Sequence, residues 1–118
     1  MSKISKQTTK IGRQAEEIVA SHFAKNGYKV FDQNWRNRWC EIDIIATKNS
    51  TVYFIEVKYR HTNSWGDGLD AITKTKLKQM NFAAQNWLAS NNFRGNAQLV
   101  AVSVSGEPPK IEEIVDID

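Results

Sequence analysis

The chain has 118 residues, 41% of them hydrophobic and 25% charged, with a formal net charge of +3. That length gives one domain, 1–118, with room for a real core, and the composition is ordinary for a soluble globular protein. Its single cysteine, Cys40, excludes an internal disulfide; no apolar run approaches the ~20 residues of a membrane span, and no apolar signal segment follows the N-terminal lysines, so a cytoplasmic location without a membrane partner is expected.

Residues 1–7 are polar and expected to be mobile. Thr8 or Thr9 can cap a helix running to about Asn26. Ile11, Ala15, Ile18, Val19 and either His22 or Ala20 supply its apolar face, and Gly27 suits its end. Glu16 lies one step from Ala15, at the edge of that face. It can point into a groove, or it can be an early-turn acid favourable to the helix dipole; Glu17 fits only the second role. Tyr28 to Trp35 reads as a first strand. Asn34-Trp35-Arg36-Asn37-Arg38-Trp39 then interleaves arginines with aromatics. Arginines hold phosphates and indole rings stack on bases. The plainer alternative is partly buried tryptophans beside solvated arginines.

Glu41-Ile42-Asp43-Ile44-Ile45 and Thr51 to Lys58 both alternate and are rich in Ile, Val, Tyr and Phe, so both read as strands. The link Thr47-Lys48-Asn49-Ser50-Thr51 is short and polar, which suits a hairpin. With the turn centred between Asn49 and Ser50, paired positions sum to 99. Asp43 then faces Glu56, and Glu41 faces Lys58. Side chains two apart share a face of a strand. Glu41, Asp43, Glu56 and Lys58 therefore converge at one end of the hairpin, with Ile45 and Phe54 on the next rung. Ile42, Ile44, Tyr53, Ile55 and Val57 form the other, apolar face. Charges in such runs need pairing or a cation. Like charges opposed on a sheet are destabilising, so Asp43 against Glu56 calls for a metal ion or a shared proton. Magnesium takes oxygen ligands and keeps several waters, and Lys58 can assist an attacking water or a charged phosphate. The plainer alternative is a Glu41–Lys58 ion pair within a structural network.

Tyr59-Arg60-His61-Thr62-Asn63-Ser64-Trp65-Gly66-Asp67-Gly68 is a polar loop leaving the strand at the charged end, where loops often carry binding functions. His61 is either a base or a solvated side chain; Trp65 either closes over substrate or packs on the core. Leu69, Ile72, Leu77, Met80, Ala84, Trp87 and Leu88 follow helical spacing and define a long second helix. Its lysines, Lys76 among them, can grip a nucleic-acid backbone or form a solvated face. Asn91 to Asn96 is a turn region, and Ala97 to Val104 reads as an internal strand. Gly106-Glu107-Pro108-Pro109 ends it, Lys110 to Val115 suits an edge strand, and 116–118 is expected to fray.

Several of these pieces occur together in a known pattern: Gly12-Arg13-Gln14-Ala15-Glu16, Gly27-Tyr28, Asn34-Trp35-Arg36, Glu41 to Ala46 and Phe54 to Arg60, with Gly66, Lys76 and Ala83-Ala84 at fitting distances. Over roughly residues 12 to 104 the chain resembles the YraN-type family of small bacterial candidate endonucleases. That family is similar to archaeal Holliday-junction resolvases and the wider PD-(D/E)xK nuclease superfamily. The resemblance implies an α/β, restriction-endonuclease-like three-layer core, a mixed β-sheet flanked by helices in the order α-β-β-β-α-β with an optional last strand. It implies Asp43, Glu56 and Lys58 as the catalytic set, with Asp43 and Glu56 on Mg2+ or Mn2+, and Glu16 as an additional acid. Arg36, Arg60 and Lys76 become the nucleic-acid-binding residues. Two positions depart from the pattern: Cys40 stands where the family usually has Gly, and Ala15 where Gly often precedes the helix acid.

Charge is uneven along the chain. Residues 1–106 carry fifteen Lys and Arg against eight Asp and Glu; residues 107–118 carry one lysine against five acids. A basic body suits a polyanion, although simple solubility explains this charge equally well. The expectation is a metal-dependent endodeoxyribonuclease, acting on branched DNA only so far as the resolvase likeness implies. Resolvases act as two-fold dimers, which raises a homodimer as an option that no stripe of this sequence demands. A non-catalytic nucleic-acid-binding module on the same fold is the alternative, and an interaction protein with a salt-bridge network is the third reading.

Overall fold

In the computed structural model, which describes residues 10–61 and 72–117, seven elements appear. They are α1 (Lys10–Lys25), β1 (Lys29–Arg36), β2 (Glu41–Lys48), β3 (Thr51–Arg60), α2 (Lys74–Asn91), β4 (Asn96–Ser105) and β5 (Lys110–Ile117). The strands form one mixed sheet in sequential order, antiparallel except for the β3–β4 pair. Parallel neighbours need a crossover, and α2 provides it. The two helices lie on opposite faces. Ala15, Val19, Ala20 and Phe23 of α1 pack on Ile44, Ala46, Ile55, Val57, Val100 and Val102. Met80, Ala83, Ala84 and Trp87 of α2 pack on Ile42, Ile45, Val52, Phe54 and Leu99. No described helix is long and apolar enough to cross a membrane.

The expected apolar face of α1 shifts in detail. The buried stripe is Gly12, Ala15, Glu16, Val19, Ala20 and Phe23. Phe23 was not among the expected core residues, and His22 is exposed. Glu16 lies inside the stripe, not at its edge. The helix ends in a Schellman arrangement: Tyr28 N donates to Phe23 O (3.0 Å) and Gly27 N to Ala24 O (3.3 Å). Gly27 takes a φ of 90°, and the Phe23 and Tyr28 rings meet edge to face at 4.9 Å. Burial, followed by the neighbouring Tyr53, holds the Tyr28 phenol above its ordinary pKa. The capping role expected of Thr8 or Thr9, and residues 1–7, lie outside the described residues.

The β2–β3 hairpin has the expected register: Lys48–Thr51, Thr47–Val52, Ala46–Tyr53, Ile45–Phe54 and Ile44–Ile55 are paired. Asn49 and Ser50 have φ of 51° and 66°, the positive pair that a type I′ turn requires. Regular pairing stops at Ile44–Ile55, so the expected Asp43–Glu56 and Glu41–Lys58 rungs are not among the paired positions. The faces differ too. Ile42 was expected beside Ile44, but Ile42 packs under α2 and Ile44 under α1. Asn34 lies between the Gln33–Ile44 and Trp35–Ile42 rungs of β1 with φ 55°, opposite the stretch of β2 where the alternation breaks.

The second helix is shorter than its spacing suggested. Thr73 caps it, its Oγ1 accepting from Lys76 N at 3.0 Å, so Ile72 precedes the helix. Leu69 falls outside the described residues. Beyond α2, Asn92 adopts the left-handed conformation that ends the helix. Asn96 N then donates to Ser50 O at 3.0 Å, tying the start of β4 to the hairpin turn. At the other end of the chain, β5 runs past Val115, with Asp116 and Ile117 paired to β4, so the fraying expected there does not extend to those two residues.

Gly95 sits where this tie is made. A Cβ there would collide with Ser50 O and lie 2.8 Å from the Phe93 ring. Gly95→Ala is expected to destabilise the fold by about 2 kcal/mol, in the range for overpacked sites. Urea unfolding checks it; an unchanged midpoint would show that the turn moves aside without cost.

Candidate functional site

The sheet opens where the ladder ends. β2 stays paired with β1 as far as Arg36–Glu41, and β3 stays paired with β4 as far as Arg60–Ser105. Between them, the Asp43 carboxylate replaces the missing backbone contact: its Oδ2 accepts from Val57 N at 2.8 Å. Asp43 is only 2% exposed. A carboxylate in such surroundings is tolerable only with strong partners, and a charge-assisted bond to an amide is one of them. The sequence set Asp43 against this stretch of β3, but the contact is not the expected one with Glu56. Asp43 meets β3 by side chain to backbone, at the residue following Glu56.

Glu56 alternates with the buried, α1-facing Ile55 and Val57 and so faces α2. Its Oε2 lies 2.9 Å from Lys76 Nζ, an ion pair across twenty residues. Glu41 and Glu56 line one shallow cleft with Ile42, Phe54, Met80 and Ala83; its interior volume is about 10 Å3, no more than the space of about one water. Lys58, two residues beyond Glu56 on β3, shares its face and is half-buried. Glu16 is 2% exposed and enters from the α1 layer, on the other face of the sheet. The structure thus brings Glu41, Glu56 and Lys76 together under α2 and sets Asp43 in the split. Among the described residues, no group of three or more His, Cys, Asp or Glu side chains is arranged to hold a metal ion.

The remaining candidates divide. Arg36 ends β1 and is exposed, Arg60 ends β3 and is half-buried, and His61 is exposed beyond it. Gly66, Trp65 and the rest of residues 62–71 lie outside the described residues. Trp35 packs against the α2 cluster, the plainer of its two expected roles. Cys40 directs its Sγ to Asn37 Oδ1 at 3.3 Å, so the thiol is turned back onto its own turn. Two features were missed. The Glu56–Lys76 pair has no sequence signal, because its partners are far apart in the chain. The Asn37 turn had one, an asparagine between two strands, the residue type that caps a turn with its own side chain.

The Asp43 bond can be weighed by substitution. Asp43→Ala leaves the buried Val57 N–H without its acceptor, at a cost of about 1–3 kcal/mol. Asp43→Asn keeps an oxygen acceptor in place and is expected to lose less than half as much. Chemical denaturation of the two variants measures this, and equal losses would show that charge, not acceptance, holds the split.

The family comparisons cover this region. A profile described as an uncharacterised protein family, UPF0102, matches residues 15–104, from the buried stripe of α1 to the end of β4. A UPF0102 protein of Chlorobium chlorochromatii is 42% identical over 98 residues, spanning 83% of this chain and 76% of the relative. One from Fusobacterium nucleatum is 37% identical over 87 residues, 74% of this chain and 73% of the relative. One from Geobacter metallireducens is 32% identical over 107 residues, 88% of each. These names give the family and no activity. The stretch matched holds Glu16, Asp43, Glu56, Lys58 and Lys76, and the chain belongs to the uncharacterised protein family UPF0102.

Proposed function

We propose that this chain is a metal-dependent DNA endonuclease on a restriction-endonuclease-like core, hydrolysing phosphodiester bonds at the β2–β3 split. The observation that carries the reading is the buried Asp43 carboxylate, oriented by the amide of Val57, the residue that follows Glu56 in the chain. Burial of an acid is costly, and a buried acid held in one orientation is a common mark of chemistry.

The donor chemistry fits Mg2+ or Mn2+. Asp43 and Glu56 offer oxygen alone, the ligand type these ions prefer, with water completing the shell. Two protein carboxylates suffice for such an ion, so a three-residue cage is not required. Glu56 already receives a cation, the Lys76 ammonium, at 2.9 Å. A divalent ion, when bound, supplies Lewis acidity and a water of lowered pKa.

The chain's own groups do the rest. Val57 N–H holds Asp43 in one orientation. Lys58, on the Glu56 face of β3, orients the attacking water and offsets charge gathering on the phosphate. Glu41 lines the cleft beside Glu56 and biases where Lys58 rests. Glu16 is the additional acid, approaching from the α1 side. Arg36 and Arg60, at the ends of β1 and β3, hold the nucleic-acid backbone. Lys76 serves by holding Glu56, and reaches a phosphate only by giving up that pair. Branched DNA is the favoured substrate through the resolvase likeness.

A second reading is a non-cleaving nucleic-acid-binding module on the same fold. The Glu56–Lys76 pair favours it, because an acid neutralised by lysine has less need of a metal. One experiment separates the two: incubation with plain and four-way DNA in Mg2+, Mn2+ or EDTA. The endonuclease cuts with either ion and not in EDTA, and Asp43→Asn and Lys58→Ala each slow it by about 100-fold or more. Cleavage at the wild-type rate in both variants removes this site from the mechanism. Binding that survives EDTA, with no cleavage under any condition, supports the module.

A further inference from the structure

The turn between β1 and β2 holds one tryptophan out in solvent and is built to keep it there. Asn37 Oδ1 accepts from Trp39 N and Cys40 N, both at 2.9 Å, and from Cys40 Sγ at 3.3 Å. Asn37 N donates to Cys40 O at 3.0 Å, closing the turn. Asn37 Nδ2 reaches Asn86 Oδ1 on α2 at 3.1 Å, which ties the turn to the helix. The turn is thus fixed within itself and anchored to the body. Its central residues nevertheless face outward. Trp39 is 67% exposed, more than any other large hydrophobic side chain described. The Arg38 guanidinium lies 5.2 Å from the centre of its ring.

An exposed indole forgoes the burial that usually keeps tryptophan in a core. Trp35, four residues earlier, takes that burial against α2. One short segment therefore turns one tryptophan in and holds the other out on a rigid mount. A flat π-face beside a guanidinium matches one chemistry well: a nucleobase stacked on the ring with its phosphate near the arginine. Position agrees. Trp39 precedes Asp43 by four residues, so their backbones lie no more than about 14 Å apart. That is at most about four stacked base steps at ~3.4 Å each.

We propose that the Arg38–Trp39 turn is a stacking site for an unpaired base of the nucleic acid, a few nucleotides from the bond addressed at Asp43. This rests on the nuclease reading and names its substrate class. Bases inside a duplex are already stacked, so the site selects nucleic acid with unpaired bases: single strands, flaps and open junctions. Arg36, exposed at the end of β1, adds charge on the same approach.

The test is binding, measured in EDTA so that no cleavage enters. Anisotropy of a labelled single-stranded oligonucleotide is compared with that of the same strand carrying several abasic sites, and with a blunt duplex. Wild type is expected to bind the intact strand most tightly. Trp39→Ala should lose about 10-fold on the intact strand and little on the abasic one. Trp39→Phe should retain most of the affinity, and Arg38→Ala should weaken all three ligands alike. Far-ultraviolet circular dichroism confirms that the variants fold. Equal loss by Trp39→Ala on intact and abasic strands overturns the proposal, as does wild-type affinity in that variant or failure of wild type to bind the single strand. A fall in sedimentation coefficient on Trp39→Ala, with DNA binding unchanged, overturns it in favour of a contact between proteins. Cleavage of duplex DNA in Mg2+ alongside any of these outcomes leaves the nuclease reading standing, so the two fail separately.

Discussion

One hydrogen bond organises the region on which the rest depends. Asp43 Oδ2 accepts from Val57 N where the β2–β3 ladder has stopped. A carboxylate is longer than a backbone carbonyl's reach into a ladder, so it spans strands that have already begun to part. Each strand keeps its outer neighbour, β1 for β2 and β4 for β3. The amide is satisfied, the acid is desolvated at tolerable cost, and Glu56 is set next to it in sequence.

The other end of the hairpin is clamped as firmly as this end is open. A type I′ turn closes it, Asn96 N binds Ser50 O, and Lys48 Nζ reaches Asn26 O at 3.0 Å beneath the Tyr28 ring. α2 links the open end to the outer turn. Its first turn supplies Lys76 to Glu56, its middle supplies Asn86 to Asn37, and Trp87 anchors it between Phe31, Phe54 and Phe93. A displacement of this helix would be felt at all three places together.

Much of this could be read from the residues, and the exceptions have physical causes. Strand alternation and the Asn49-Ser50 turn gave the hairpin its true register, because a two-residue turn fixes pairing within one position. Alternation then failed at Ile42, which packs on the opposite face from Ile44 beside the left-handed Asn34 of β1, a backbone feature that hydrophobicity does not mark. The helical spacing of Ile72 misplaced the start of α2, where the capping hydroxyl of Thr73 decided. Glu16 reads as an edge residue from its place one step beyond Ala15, yet it sits in the buried stripe, where acids are rare. Of the site, the acids and Lys58 were visible as charges in apolar runs. Their contacts were not: Lys76 comes from an element distant in the chain, and the Val57 amide takes the Asp43 carboxylate where alternation had put Glu56.

The order of strands across the sheet has an electrostatic corollary. β1 and β5 are its two borders. The first, with the turn that follows it, carries Lys29, Arg36 and Arg38 against Asp32; the last carries Glu112, Glu113 and Asp116 against Lys110. Opposite signs at opposite rims give the molecule a lateral dipole. In the field of a polyanion such a body rotates before it touches, presenting the arginine rim and turning the acidic one away, so orientation is settled during diffusion and weakens as salt rises.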